Sequence, residues 1–362
     1  MSLINYMINY PGFRTNRKIV VFESDDWGSI RMPSKNTYRR LLSDGYQVDK
    51  NDYEKNDSLA SEKDLTMLFD LLVRFKDING SSPLFTANTI VANPDFKRIK
   101  ESGYRDYFYE PFTETLNKYE NCSGSFELWK QGIQEKIFMP QFHGREHLNV
   151  SEWMNALKTG DKDALYAFDL GIPGLFSKNS YTTRYMAALK ASSISEIDQI
   201  NDILKDGLLL FEKIFGYKST TFIAPCYTWH PLNEKTLWEN GVTHIQGNLT
   251  QIIPELSNKS TRKIHYFGQK NQYNQAYLVR NVQFEPTKMK NSIVENCLSK
   301  IKIAFICKKP AIISTHRINY IGSLNPENRD NSLRLLENLL KNILKIWPNV
   351  EFMSSNQLAE IM

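Results

Sequence analysis

Three observations predict an α/β fold, a (β/α) barrel with long loop insertions. Short apolar or β-branched runs alternate along the chain with segments of helical periodicity. The runs end in polar residues, as strands buried on both faces of a parallel sheet do. The residues with catalytic chemistry all fall just after such runs, where a barrel gathers the loops of its C-terminal face.

Strands are predicted over 18–24, 83–91, 137–142, 219–224, 243–246, 277–283, 310–315 and 349–353. In 195–215, Ile197, Ile200, Leu204, Phe211 and Ile214 repeat at helical spacing, and Gly216 supplies a stop. In 331–347, Leu333, Leu336, Leu340, Ile343 and Leu344 form one face ahead of Pro348. Shorter helices are expected at 34–44, 61–76, 152–158, 231–240 and 291–301. The intervals 45–80, 95–135 and 148–195 read as insertions walling a cleft. With no convincing linker, 1–362 reads as a single domain.

Hydrophobic residues make up 41% of the 362 and charged residues 23%, which places the chain among ordinary globular proteins. The net charge of +5 is too mild for a dedicated nucleic-acid binder. Basic residues do recur over Lys259–Lys270 and Lys288–Lys309, which leaves an anionic saccharide or peripheral contact with a membrane surface open. Cys122, Cys226, Cys297 and Cys307 form no metal-binding pair and are expected to be reduced. Asn5, Asn9 and Pro11 interrupt any signal-peptide core, and no run is long enough to cross a membrane, so a cytoplasmic location is expected.

The chemistry is concentrated in three places. Asp25 and Asp26 leave the first strand as neighbours and should point in different directions, one toward a metal and one toward substrate as a base. A plain Asp turn with Gly28 at positive φ is the competing explanation. His143 and His147, four apart, would share one face of a helix or helical turn and reach one ion. His-x-x-Glu-His also matches an inverzincin pattern, but Pro140 and Gly144 argue against the long helix that pattern needs. His316 ends the apolar run Ala311–Thr315 and could protonate a leaving amine. The run Phe222–His230 offers backbone N–H groups after Pro225 for an oxyanion, Tyr227 and Trp229 for stacking on a sugar, and His230 either facing substrate or capping the next helix. Asn88 and Asn93 either bond substrate or form Asx turns.

In order and wording these motifs resemble the NodB-type polysaccharide deacetylases, the family-four carbohydrate esterases, from about Lys18 onward. The carriers are Ser24-Asp25-Asp26-Trp27-Gly28, His143 with His147, Ile223–Tyr227 and His316. The resemblance implies a distorted (β/α)7 barrel, Asp25 as general base, Asp26, His143 and His147 as metal ligands, and His316 as general acid. The runs at 23–31, 85–96 and 140–150 resemble a divergent branch of polysaccharide (de)acetylases. The chain departs from the family pattern in three ways. Trp27 stands between the Asp pair and Gly28, as Phe does in the related YdjC-type oligosaccharide deacetylases. Ile223 or Ala224 occupies the place of the third-motif Arg. The Asp of the fourth motif is not evident. Arg280 and Glu285 are the expected replacements, Arg280 pairing with Asp25 and Glu285 orienting His316. Trp27, Asn88, Tyr227, Trp229, His230, Arg280 and Glu285 are accordingly expected around the substrate.

The expectation is a hydrolase that uses a divalent metal, Zn²⁺ first, to remove the N-acetyl group from a sugar unit of a polysaccharide or its precursor. An O-deacetylase or YdjC-type enzyme on the same barrel, or a non-catalytic carbohydrate-binding homologue, are the alternatives.

Overall fold

A computed structural model describes residues 3–175, 185–256, 260–288 and 292–362. Residues 176–184 of the insertion expected over 148–195, Lys259, and residue 291 of the helix expected over 291–301 lie outside the described residues.

The strands are β1 (Lys18–Trp27), β2 (Phe85–Ile90), β3 (Phe138–Gly144), β4 (Thr221–Ile223), β5 (His244–Gly247), β6 (Ala276–Val279), β7 (Val282–Gln283), β8 (Ala311–His316) and β9 (Val350–Met353). They form one parallel sheet in the order β6-β5-β4-β3-β2-β1-β8-β7, with β9 paired to the first half of β1. The strand expected over 277–283 is broken in two, with a structural consequence. Its first part, β6, pairs with β5, and its second part, β7, pairs with β8. Both edges of the sheet therefore belong to one stretch of chain, and the fold is a distorted (β/α) barrel. Asn281 makes the switch. Its Oδ1 accepts from the Ile312 N–H at 2.8 Å, and its amide donates to Asn9 and to the Pro310 carbonyl.

β1 is central because Ile19–Phe22 are apolar on both faces and fully buried. Successive residues feed opposite clusters, Val20 and Phe22 on one side, Ile19 and Val21 on the other. The first cluster is covered by helices Glu62–Leu72, Ser125–Gln134, Ile293–Ile306 and Pro326–Ile346, the second chiefly by Ile194–Phe215.

Helix Ile194–Phe215 is capped by Ser193, whose side chain accepts from Glu196 N–H, and stops at Gly216 with φ 79. Helix Pro326–Ile346 begins five residues before the expected start at 331, because Pro326 fits its first turn and that turn is polar. Two antiparallel hairpin ladders, Ala92–Pro94 with Tyr109–Pro111 and Thr250–Pro254 with Ser260–Ile264, have no counterpart in the sequence expectations. The strand Ser260–Ile264 is exposed along its whole length and so lacks the apolar alternation that marks a half-buried strand.

Candidate active site

Two β-bulges at the mouth of the barrel build the site. Between β1 and β2 the register jumps from Ser24↔Ala87 to Trp27↔Thr89, so Asp25 and Asp26 share the space of one residue on the partner strand. Between β2 and β3 it jumps from Thr89↔Phe142 to Ile90↔Gly144, which leaves His143 as the extra residue. Bulges re-aim side chains that a regular pleat would send to opposite faces. Here they turn Asp25, Asp26 and His143 into the same mouth. The cost shows in the backbone: Asp26 sits at φ 74, where non-glycine residues are strained. Gly28, at φ 83, is required by space as well, since a Cβ there would lie 2.2 Å from the Ile90 carbonyl oxygen.

His143 and His147 do not share a helix. His143 ends β3, and His147 lies in the loop beyond Gly144, whose φ of 140 turns the chain back. Their Nε2 atoms converge on Asp26 Oδ1 at 3.5 and 3.3 Å. Among the described residues, Asp26, His143 and His147 form the one such cluster whose ligand atoms all lie within 4.8 Å of each other.

The chemistry of this donor set fits a metal ion. His143 Nδ1–H donates to the Ile223 carbonyl at 2.9 Å, which turns Nε2 toward the Asp26 oxygen. That buried Nε2 has no hydrogen-bond partner. Burial, outweighing the attraction of Asp26, lowers the His147 pKa to about 4, so this ring is neutral near pH 7, as a metal ligand must be. A cation among the two Nε2 atoms and the Asp26 oxygen would meet three donor atoms within 4.8 Å of one another. The second oxygen of Asp26 lies 3.4 Å from the Arg31 guanidinium, which leaves Oδ1 for the histidine side.

Asp25 faces a different set of groups. Arg280 forks onto it, with Nη1 and Nη2 donating to Oδ2 and Oδ1 at 2.7 Å each, and Asn88 Nδ2 donates to Oδ1 at 2.7 Å. Arg280 Nε also donates to Glu23 Oε2 at 2.6 Å, and the Ser355 hydroxyl donates to Glu23 Oε1. Burial raises the Asp25 pKa, and the Arg280 charge, with its hydrogen bonds and with His316 and His143, more than reverses this to leave it below the usual range.

His316 Nε2 lies 3.7 Å from Asp25 Oδ2, while its Nδ1–H donates to Glu285. Glu285 is itself fixed by Asn319 Nδ2 at 2.8 Å. Burial pulls the His316 pKa down, but Glu285 and then Asp25 push it up further, to about 9. Near pH 7 the pair is therefore an Asp25 carboxylate beside a His316 imidazolium. The contacts expected of Arg280 with Asp25 and of Glu285 with His316 are both present.

Other sequence expectations need correction. Trp27 is in the core, 1% exposed, donating to Ser24 Oγ and packing edge-on against Trp129 and Phe138, so it offers no face to a sugar. Trp229 is likewise buried, donating to Glu234 Oε1 and stacked on His265. His230 Nδ1 accepts from Leu232 N–H just ahead of the helix Asn233–Glu239, whose first turn has no side-chain cap. Asn88 is fully buried against Asp25 and orients that carboxylate rather than lining a surface. Asn93 bridges Ile30 N–H and the Gly28 carbonyl, bracing the loop after β1. Tyr227 is partly exposed at the site, its hydroxyl accepting from Arg280 at 3.2 Å. Its own N–H is committed to the Ala224 carbonyl, so it is not a free oxyanion donor.

Sequence reasoning missed Glu23, Arg31, Asp57 and Arg317. Glu23 is two residues before Asp25, and the strand period of two would have placed both carboxylates before one cation. Arg31 reaches Asp57, which receives a two-pronged contact from Arg317, a buried chain with no local sequence signal.

No family model and no curated relative matches the chain. Among solved structures, it aligns with a 4-alpha-glucanotransferase from Thermococcus litoralis at TM-score 0.49 and 9% identity, covering 96% of this chain and spanning 40% of that one. It aligns with the α-amylase AmyC from Thermotoga maritima at 0.46 and 8%, covering 97% and 75%. It aligns with the peptidoglycan deacetylase PdaC from Bacillus subtilis at 0.38 and 10%, covering 96% and 92%. None of these likenesses assigns chemistry to this chain.

Proposed function

We propose that the protein is a metal-dependent hydrolase that removes an N-acetyl group from a sugar unit of a polysaccharide or its precursor. The observation that carries this reading is the adjacency of two pairs of opposite character. The Asp26–His143–His147 cluster has the composition of a catalytic metal site, with three protein ligands. Beside it, Asp25 and His316 have environments that push their pKa values apart, the pattern of a base and an acid working at one pH.

Asp26, His143 and His147 would hold the ion, with Zn²⁺ the first choice for a His/carboxylate set. When bound, the ion supplies Lewis-acid polarisation of an acyl carbonyl and lowers the pKa of water. Asp25, kept ionised by Arg280, takes the proton from attacking water. His316, held in one orientation by Glu285, gives its Nε2 proton to the departing sugar amine. Arg280 thus fills the role that the family pattern assigns to an Arg in another motif.

The test is product analysis with N-acetylated and O-acetylated saccharides, offered to protein supplied with Zn²⁺. Acetate with an equal amount of new primary amine supports the proposal. Acetate without amine moves the assignment to an esterase. Glycan binding without acetate release, unaffected by Asp25→Asn, moves it to a binding protein.

A further inference from the structure

The surface is uneven in both charge and polarity, and the two asymmetries coincide. Among the described residues, the three most exposed large hydrophobic side chains are Tyr10 at 72%, Ile264 at 69% and Met7 at 65%. They lie on segments that touch. Gly12 sits so close to the second that a Cβ there would fall 1.9 Å from the Phe267 carbonyl and 2.9 Å from the Tyr266 ring. Phe13 N–H donates to the Phe267 carbonyl, and Thr15 N–H to the Lys308 carbonyl. The buried Lys309 ammonium donates to the carbonyls of Pro11 and Phe13, tying the end of helix Ile293–Ile306 to the same segment. Tyr266, Leu256 and Ile306 add further exposed apolar surface to these segments.

The same segments carry Arg14, Arg262, Lys263, Lys300, Lys302 and Lys308, all exposed or half-exposed. With the buried Lys309, the described residues 5–15, 250–256, 260–268 and 293–309 hold seven cations against two acids, Glu255 and Glu295. The resulting surplus of five positive charges equals the chain's net +5.

We propose that this side of the barrel docks on an anionic lipid surface. Cations alone would suit a soluble anion, and apolar side chains alone a protein partner. Highly exposed Met, Ile and Tyr set among Lys and Arg match the two layers of a bilayer interface, acyl chains beneath negatively charged headgroups. No helix among the described residues is long and apolar enough to cross a membrane, and the Leu3–Ile8 helix is too short to anchor the chain by itself. Binding is therefore peripheral, shared between the hairpin Thr250–Ile264 and its two neighbours, and reversible by salt.

A cavity of about 410 Å³ opens between these elements, lined by Asn9, Thr250, Arg262 and Lys300 and reaching Tyr227 and Arg280. If the deacetylase assignment holds, a lipid-borne saccharide can approach the site from the docked side. The docking itself does not depend on that assignment.

The experiment is co-sedimentation of the full chain with vesicles of phosphatidylcholine containing about 30% phosphatidylglycerol, and with vesicles of phosphatidylcholine alone. The expected result is at least about tenfold tighter binding to the anionic vesicles, weakened about tenfold between 0.1 and 0.5 M salt. The exposed substitutions Lys263→Gln with Lys302→Gln, both outside that cavity, should remove most of the salt-sensitive part. Met7→Ser with Ile264→Ser should weaken binding at both salt concentrations. Acetate release from a water-soluble substrate should be unchanged in both variants, which separates failed docking from failed catalysis. Absent binding, equal binding to the two vesicles, or binding that neither pair of substitutions alters would overturn the proposal.

Discussion

Asp25 and Asp26 are adjacent and equally buried, each 3% exposed, yet their surroundings are satisfied to different degrees. Both oxygens of Asp25 accept from Arg280, Asn88 adds a third donor, and the guanidinium extends the network to Glu23 and Ser355. Around Asp26, His143 Nε2 faces Oδ1 at 3.5 Å and is buried without a hydrogen-bond partner. Buried polar atoms are almost always paired, so an unpaired ring nitrogen facing a carboxylate oxygen fits a position for a cation. The contrast separates two kinds of preorganisation. Asp25 is held by hydrogen bonds within the protein, whereas Asp26 faces two imidazoles in a cluster that could hold a metal ion.

The largest expected effect breaks the satisfied half. Arg280→Met leaves Glu23 buried without a counter-charge and Asp25 with His316 as its one close cation, and urea denaturation should show a loss of about 3–5 kcal/mol together with loss of turnover. Next comes the unsatisfied half. Zn²⁺ at about 100 times its Kd should stabilise the protein by about 2.7 kcal/mol, a gain that a chelator reverses and His143→Ala abolishes in thermal unfolding.

A pH experiment sharpens the comparison further. The folded-state pKa of His316, about 9, lies above its ordinary 6.5, so its stabilising contribution is complete below about pH 6.5 and is lost as pH rises through 9. The urea midpoint of metal-free protein should decline across that window, and Glu285→Gln should flatten the decline and bring the His316 titration, followed by NMR, toward 6.5. The smallest effect is expected at Trp229. Trp229→Phe removes its hydrogen bond to Glu234, costing about 1 kcal/mol in denaturation while leaving KM for the saccharide unchanged. A large rise in KM would restore the sugar-stacking role that the sequence suggested.

The barrel was legible because its strands are buried on both faces and so appear as continuous apolar runs; all eight predicted runs contain strand. The break at Arg280–Asn281 was not legible, because it depends on Asn281 bonding to Ile312, a partner far along the chain. Short motifs marked Asp25, Asp26, His143, His147 and His316 because metal and proton chemistry need those residue types. The bulges that bring them together depend on pairing between strands and leave no local signature. Trp27 and Trp229 were misplaced for a related reason: an aromatic at a strand end looks the same whether its face is wet or packed. Arg31 and Asp57 were missed because a buried ion pair between loops has no period to read.

The most direct test of a division between metal-holding and proton-moving halves is Zn²⁺ stoichiometry, by titration calorimetry and metal analysis, measured alongside acetate release for the unaltered protein, Asp25→Asn and His143→Ala. The predicted result is one tightly bound Zn²⁺ in the unaltered protein and in Asp25→Asn, with acetate released only by the former, and neither metal nor turnover in His143→Ala. Full Zn²⁺ binding by His143→Ala, or undiminished acetate release by Asp25→Asn, would contradict that division.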